Sequence, residues 1–273
     1  MEQYADVTDT LRLRTLCTAF TWPIGEQYHF VGERHDFWEL VIVTEGEVGV
    51  TAGEKTSVLQ KGEAILHPPM EFHRVWYAGN IPAQILIFSF YADSMPQLTE
   101  RQFVLPDLHI PAGVLAKIQK SFVLDEGNVC QMGSQPLQCQ IALKELELFL
   151  LETFNGRRRN PAAPNSRSAA NYVRIVRCLE ENICNNISVE EIARACNMSG
   201  VNAKQTFARY AGMGIRNYFN HLKIERAIAM LREGYSVQET AEILGFSSPN
   251  YFSTTFKRIT GKNPTVYKQG GEI

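Results

Sequence analysis

The chain has 273 residues, 45% hydrophobic and 21% charged, with a formal net charge of -2. Those totals describe a soluble globular protein with material for two cores, and they exclude a disulfide-stapled miniprotein, a disordered tail and a membrane span, which needs an apolar run of about 20 residues. Charge is uneven, with 14 basic against 9 acidic residues in 165–273 and 13 against 20 in 1–164, so the two parts are expected to meet different partners.

The opening MEQYADVTDT lacks the basic-then-apolar order of a signal peptide, which predicts a cytoplasmic protein. Cys17, Cys130, Cys139, Cys178, Cys184 and Cys196 form no C-x-x-C pair and no finger spacing, and read as free thiols. From about 11 to 92, segments such as FWELVIVTEG, GEAILHP and AQILIFSFYA are β-rich and punctuated by Gly and Pro, which predicts a small barrel or sandwich. Beyond Pro106 the apolar period becomes helical, and PAGVLAKIQKSFV and PLQCQIALKELELFLLETF predict helices within 111–154. The second carries Ile141, Leu143, Leu146, Leu148, Phe149 and Leu150, more apolar surface than one packing face needs; a dimer contact and burial against the sheet both account for it. NGRRRNPAAPNSRS, residues 155–168, is too polar and too rich in Pro and Gly to build a core, and reads as a linker with solvated arginines.

The remaining residues contain a degenerate repeat. SVEEIARACNMS at 188–199 matches SVQETAEILGFS at 236–247, and FARYAGMGIRNY at 207–218 matches FKRITGKNPTVY at 256–267. Each copy opens with a capping box, Ser188 with Glu191 and Ser236 with Glu239. Each continues through a small Ala193 or Ala241 that lets a second helix cross closely, then reaches Asn197 or Gly245, types that tolerate the left-handed conformation of a sharp helix end. That order is the logic of a helix-turn-helix, placed at about 188–210 and 236–259. Between them, IRNYFNHLKIERAIAMLREG has an apolar stripe of Phe219, Leu222, Ala227, Ile228 and Leu231 with basic residues outside it. It reads as one helix fixing the separation of the motifs; at a spacing of about one duplex turn, roughly 34 Å, both second helices can enter successive major grooves on one DNA face.

In the second motif Tyr251, Phe252 and Phe256 are expected to face inward, leaving Asn250, Ser253 and Thr254 for base edges. In the first, Val201, Lys204 and Gln205 face outward, where Gln suits adenine, Lys guanine and Val a thymine methyl. Arg209, Lys257 and Arg258 suit phosphates, which position a protein without reading sequence. Residues from about 171 to 268 resemble the DNA-binding domain of AraC/XylS-type transcription regulators, through SVEEIA, LKIERAIAML, SVQETAEILGFSSPNYFSTTFKRITGKNPTVY and the matched Gly212 and Gly261. The resemblance implies that the second helix of each motif reads bases. The chain departs from that family's pattern at Gln205 and Thr254, where arginine is usual, and at Ala203, where a larger apolar anchor is usual.

In 33–73, ERHDFWELVIVTEG and GEAILHPPMEFH resemble the two cupin motifs through His35, Glu39 and Gly46, then Gly62, Pro68 and His73. In metal-binding cupins such positions supply three histidines and a glutamate; here they are Glu33, His35, Glu39 and His73, a set able to hold Fe, Mn, Zn or Ni. Met70 and Tyr77 stand where a glycine and an asparagine are usual, and regulator cupins mostly lack a metal, so no metal or other cofactor is expected. Arg34, His35, Trp38, Glu39, His67 and His73, set among Trp22, Tyr28, Phe30, Phe37, Phe72, Trp76, Tyr77, Phe88 and Phe90, suit a small polar effector such as a carbohydrate.

Assembled, the sequence predicts an α+β multi-domain protein. Residues 1–154 form a cupin-like effector-sensing and dimerisation domain, a β-barrel at about 11–92 with helices following at 111–154. Residues 155–168 are a linker, and 169–273 an all-α domain of two helix-turn-helix motifs joined by a linker helix. The expected function is a homodimeric activator, not an enzyme, whose partners are promoter DNA, an effector and RNA polymerase, with no membrane. Two alternatives stay open: a metal-dependent cupin enzyme on a DNA-binding tail, with His35, Glu39 and His73 as ligands, and a regulator without a small-molecule effector.

Overall fold

Alternation along the central strands builds the first unit. A computed structural model describes residues 10–28, 30, 32–78, 81–125, 127–158 and 167–269, and the chain divides into two compact units, Met1–Ala163 and Pro164–Ile273. Unit one contains β1 (Arg12–Ile24), β2 (Trp38–Glu45), β3 (Glu47–Ala52), β4 (Lys55–Gln60), β5 (Glu63–His67), β6 (His73–Tyr77), β7 (Ala83–Ser94) and β8 (Gln102–Val104). Helix α1 (His109–Ser121), β9 (Phe122–Asp125), β10 (Asn128–Met132), α2 (Pro136–Asn155) and β11 (Arg157–Arg158) follow. All pairings are antiparallel, in an eight-stranded sheet ordered β11-β8-β5-β2-β7-β1-β10-β9 and a three-stranded sheet ordered β4-β3-β6.

Because successive side chains on a strand point to opposite faces, β2 is buried on both sides. Leu40 and Ile42 join a core with Phe88, Phe90 and Phe103 under α1 and α2, while Val41 and Val43 join Val48, Val50, Val75 and Ile85 between the sheets. The continuous apolar run in this strand is thereby explained. Helix α2 buries Leu146, Phe149 and Leu150 against the first core and leaves Leu137, Ile141 and Leu148 exposed.

The sheet extends beyond the barrel limit expected at residue 92. The short hairpin β9–β10 turns through Gly127 at φ 88°, and β8 and β11 close the other edge. Arg157 and Arg158 pair with Val104 and Phe103, so the arginine run begins inside the sheet rather than in the linker; residues 159–166 lie outside those described. Cys17, Cys139, Cys178, Cys184 and Cys196 are free thiols, and the side chain of Cys130 also lies outside the described set.

Unit two is helical: α3 (Arg167–Glu181), α4 (Val189–Ala195), α5 (Gly200–Ala211), α6 (Ile215–Arg232), α7 (Val237–Ile243) and α8 (Pro249–Thr260), then a 3-10 turn at Pro264–Gln269. Both capping boxes form, and both short helices end in the same hydrogen-bond pattern. Met198 N–H donates to the Ala193 carbonyl and Asn197 to Arg194; Phe246 donates to Ala241 and Gly245 to Glu242, each pair satisfying carbonyls the helix leaves unpaired. Asn197 and Gly245 sit at φ 54° and 63°. At Gly245 a Cβ would lie 2.6 Å from the Cys184 carbonyl oxygen, so backbone packing as well as φ selects glycine there.

Helix α6 serves both motifs. Tyr218 meets Phe207 of α5 at 5.1 Å between ring centres, and Ile224, Ala227, Met230 and Leu231 pack with Phe252 and Phe256 of α8. One expectation fails on this helix: Lys223 does not lie outside the stripe but is 4% exposed. Its ammonium donates to the carbonyls of Asn185 and Leu244 at 2.7 and 2.6 Å and lies 4.6 Å from the Phe219 ring centre. Among the described residues no helix is long and apolar enough to cross a membrane.

Candidate ligand pocket and nucleic-acid interface

At the end of the space between the sheets of unit one, apolar side chains give way to polar ones around a cavity of ≈ 480 Å³. Its walls are Phe20, Trp22, Tyr28, Phe30 and Phe37, and Glu33, Glu39, His73, Ser89, Thr18 and Asn128 supply the polar lining. Three neighbouring strands set Glu39: its Oε2 accepts from Ser89 Oγ at 3.1 Å, and Ser89 shares a 2.6 Å hydrogen bond with Thr18. Glu33 is tied beside His73 by reciprocal backbone bonds of 3.0 and 3.1 Å. The preceding Gly32 has φ 81°, and a Cβ there would meet the Phe72 ring at 2.5 Å.

Of the residues expected to bind an effector, Glu39 and His73 line this cavity; His35 does not, but it touches two residues that do, stacking on Phe37 at 3.7 Å with Nε2 3.5 Å from Glu39. Arg34, Trp38 and His67 do not line it. Arg34 lies over Phe72 and donates to the Met70 carbonyl at 3.3 Å. Trp38, one residue from Glu39, points to the opposite face and packs on the core beneath the helices. His67 is fully buried behind His73, with ring centres 4.4 Å apart. Thr18, Phe20, Ser89 and Asn128 were missed. The spacing of two in Thr18, Phe20 and Trp22 on β1 and in Ile85, Ile87 and Ser89 on β7 is the signal that points to this shared face.

The electrostatics are those of buried acids and imidazoles held together. Burial would raise the Glu39 carboxyl, but hydrogen bonding and charge from His35, His73 and His67 outweigh it and hold it below the usual range. Burial would lower His73, yet Glu39 and the Glu71 carbonyl raise it. Burial, with Glu39 next to it, raises Glu33. His67 falls to about 4, chiefly through burial, although its Nδ1 lies 3.2 Å from Glu71, which also accepts from Arg101 at 2.7 Å. Glu33, His35, Glu39 and His73 each offer one ligand atom, all within 4.8 Å of one another.

In unit two the second helix of each motif starts at a serine cap. Ser199 accepts from Asn202 N–H and Ser248 from Tyr251 N–H, and both helices end in left-handed glycines, Gly212 at φ 69° and Gly261 at φ 73°. Val201, Lys204, Gln205 and Arg209 are exposed on α5 above buried Ala203 and Phe207. On α8, Asn250, Thr254, Lys257 and Arg258 are exposed and Ser253 half-buried, above buried Phe252 and Phe256. Lys204 bonds Glu190 at 3.2 Å, a surface pair of little strength. Tyr251 does not turn inward; it is 39% exposed and tilts against Phe246, whose ring takes the inward place instead.

The family model described as "AraC-like ligand binding domain" matches residues 24–150, and the "Helix-turn-helix domain" model matches 192–270. The chain is 22% identical over 254 residues to the uncharacterized HTH-type transcriptional regulator YfiF of Bacillus subtilis, covering 88% of this chain and 79% of that one. It is 24% identical to the HTH-type transcriptional activator RhaS of Salmonella schwarzengrund, covering 89% of each. YijO of Escherichia coli matches at 29% identity over 55% of this chain, which spans 52% of YijO. Among solved structures, apo ToxT of Vibrio cholerae aligns with 94% of this chain and 98% of its own at 14% identity and a TM-score of 0.37. An AraC-type regulator of Chromobacterium violaceum aligns over 39% of this chain and 100% of its own at 26% identity and a TM-score of 0.36. With a ligand-binding domain followed by a helix-turn-helix domain, matched in that order and shared along most of the chain with full-length relatives, this protein belongs to the AraC family of transcriptional regulators.

Proposed function

We propose that the chain binds promoter DNA as a cytoplasmic homodimer and activates transcription, through RNA polymerase, in answer to a small molecule held in the aromatic cavity. The observation that carries the reading is the pair of second helices, each anchored by buried aromatic rings and each presenting exposed polar side chains on its outer face. In this reading Asn250, Ser253 and Thr254, with Val201, Lys204 and Gln205, meet base edges, while Arg209, Lys257 and Arg258 meet phosphates. Aromatic walls that stack on a ring, and a polar end built from Glu39, Ser89 and His73, favour a sugar or a molecule of similar polarity. In this reading the cavity binds its ligand without transforming it, as the sensor of a regulator and not as the site of an enzyme. Exposed Leu137, Ile141 and Leu148 on α2 favour that helix as the dimer contact.

Selection of genomic fragments by the full chain at low ionic strength tests the DNA reading. Asn250→Ala should cost about 1–3 kcal/mol on the selected site and relax preference at one base, whereas Arg258→Ala should weaken all sequences and flatten the salt slope. Equal losses for Asn250→Ala on cognate and scrambled DNA would defeat base reading by α8.

A further inference from the structure

We propose that Cys178 and Cys196 are a modification site, an oxidisable dithiol in the first helix-turn-helix that a peroxide closes to a disulfide, lowering the affinity of that motif for DNA. The effect on DNA rests on the reading of α5 as a base-contacting helix; the disulfide itself does not.

The placement of the two sulfurs carries the argument. Cys178 sits near the end of α3 and Cys196 caps the end of α4, and packing of the two helices brings their thiols into hydrogen-bond contact. The contact has a direction. Cys196 S–H donates to Cys178 Sγ, and the side-chain amide of Asn182, four residues further on, comes within 3.9 Å of the same sulfur. Two donors on one sulfur favour the thiolate at Cys178, while Cys196 keeps its proton. Access follows the same order, with Cys178 9% exposed and Cys196 2% exposed. Burial holds both thiols above their ordinary range, Cys196 at about 11, so the pair reacts slowly and answers to an oxidant that accumulates. Cys139, by contrast, is buried with its thiol on the Ser121 carbonyl at 2.9 Å.

The Cys178 thiolate attacks one peroxide oxygen; the O–O bond breaks, leaving a sulfenic acid and a hydroxide that becomes water with the proton the thiol gave up. Cys196 Sγ then attacks the sulfenic sulfur, the S–O bond breaks, and the departing hydroxyl takes the Cys196 proton as a second water. The thiols lose two electrons between them and the peroxide is reduced to water. The bond that forms is about 2.0 Å long, shorter than a hydrogen-bonded pair of thiols, so the end of α4 must move toward α3. The turn moves with it: the Cys196 carbonyl accepts from Arg174 at 3.1 Å, Asn197 follows at φ 54°, and Ser199 caps α5. The second half of α5 is held to α3 separately, through Phe207 and Tyr210 against Tyr172 at 5.4 and 5.6 Å between ring centres. Its first half, where Val201, Lys204 and Gln205 stand, therefore takes the displacement.

The test uses the full chain carrying Cys184→Ser, a change at an exposed position, reduced and then treated with hydrogen peroxide. Trypsin cuts after Arg177 and Arg194, so the two thiols fall on separate peptides. The expected result is those peptides joined, lighter by a pair of hydrogens than the free pair, and separated again by dithiothreitol. On a duplex selected by the reduced chain, the oxidised chain should bind at least about 10-fold more weakly, the loss of a base contact on α5, and dithiothreitol should restore the affinity, which it cannot do for oxidised methionine. Cys178→Ala and Cys196→Ala should abolish both responses; because buried variants can fail to fold, the peptide map of the chain with both thiols decides without them. Thiols that stay unreacted overturn the proposal, as does sulfinic acid at Cys178 with Cys196 still free. Joined peptides with unchanged DNA affinity overturn the switch. If the reduced chain selects no duplex, the reading of α5 fails, and the peptide map alone decides the disulfide.

Discussion

Lys223 shows how one side chain can join the two halves of a small domain. From the middle of α6 it reaches the Leu244 carbonyl at the end of α7, where the helix dipole is negative, and the Asn185 carbonyl between α3 and α4. Lys223→Met would leave both carbonyls unpaired, and should destabilise unit two by about 1–3 kcal/mol in urea unfolding. Burial, then the charge of Arg216, lowers this ammonium from 10.5 to about 8. The folded state therefore releases the proton first, and between pH 8 and 10.5 the unfolded chain binds more protons. The contribution of this group to stability must rise with pH in that window, and the difference between wild type and Lys223→Met, followed by urea unfolding across it, should grow accordingly.

At the scale of elements, the two helix-turn-helix copies differ in how hard their turns are to replace. Gly245 faces the Cys184 carbonyl, whereas Asn197 carries its side chain in the same left-handed conformation. Gly245→Ala should cost more than 1 kcal/mol, through φ and contact together, while Asn197→Gly should stay within about 0.5 kcal/mol; chemical denaturation of the two variants checks the contrast. Helix α2 offers a second test. Ile141→Glu with Leu148→Glu places charge on exposed positions and leaves the buried face intact, so if α2 forms the proposed dimer contact, sedimentation should report a monomer that stays folded, and an unchanged mass would defeat that contact.

On the scale of the whole molecule, the DNA-binding unit should show an affinity that falls steeply with salt, since the phosphate contacts proposed for Arg209, Lys257 and Arg258 would release counterions. A small molecule that binds the folded sensor must raise the melting temperature of unit one, and it changes transcription only through unequal affinity for two states of the regulator. Calorimetry with and without such a molecule should therefore move one transition and leave the other in place.

The helix-turn-helix motifs were legible in the chain itself because their signals are local. Ser188 and Ser236 cap within three residues, Asn197 and Gly245 end their helices within one turn, and the repeat states the pattern twice. The outward places of Asn250 and Gln205 follow from the same short periodicity, although Tyr251 escaped it because Phe246, outside the helix, fills the inner position. The cavity was legible only in part. His35, Glu39 and His73 stood out as a spacing, but Trp38, Arg34 and His67 sit beside them in sequence and face elsewhere. Which residues share that space depends on the pairing of β1, β2 and β7, strands separated by tens of residues, and a slip of one residue exchanges the faces. Local hydrogen bonds are written in neighbouring residues; a cavity wall is written in strand register, and only tertiary structure sets that.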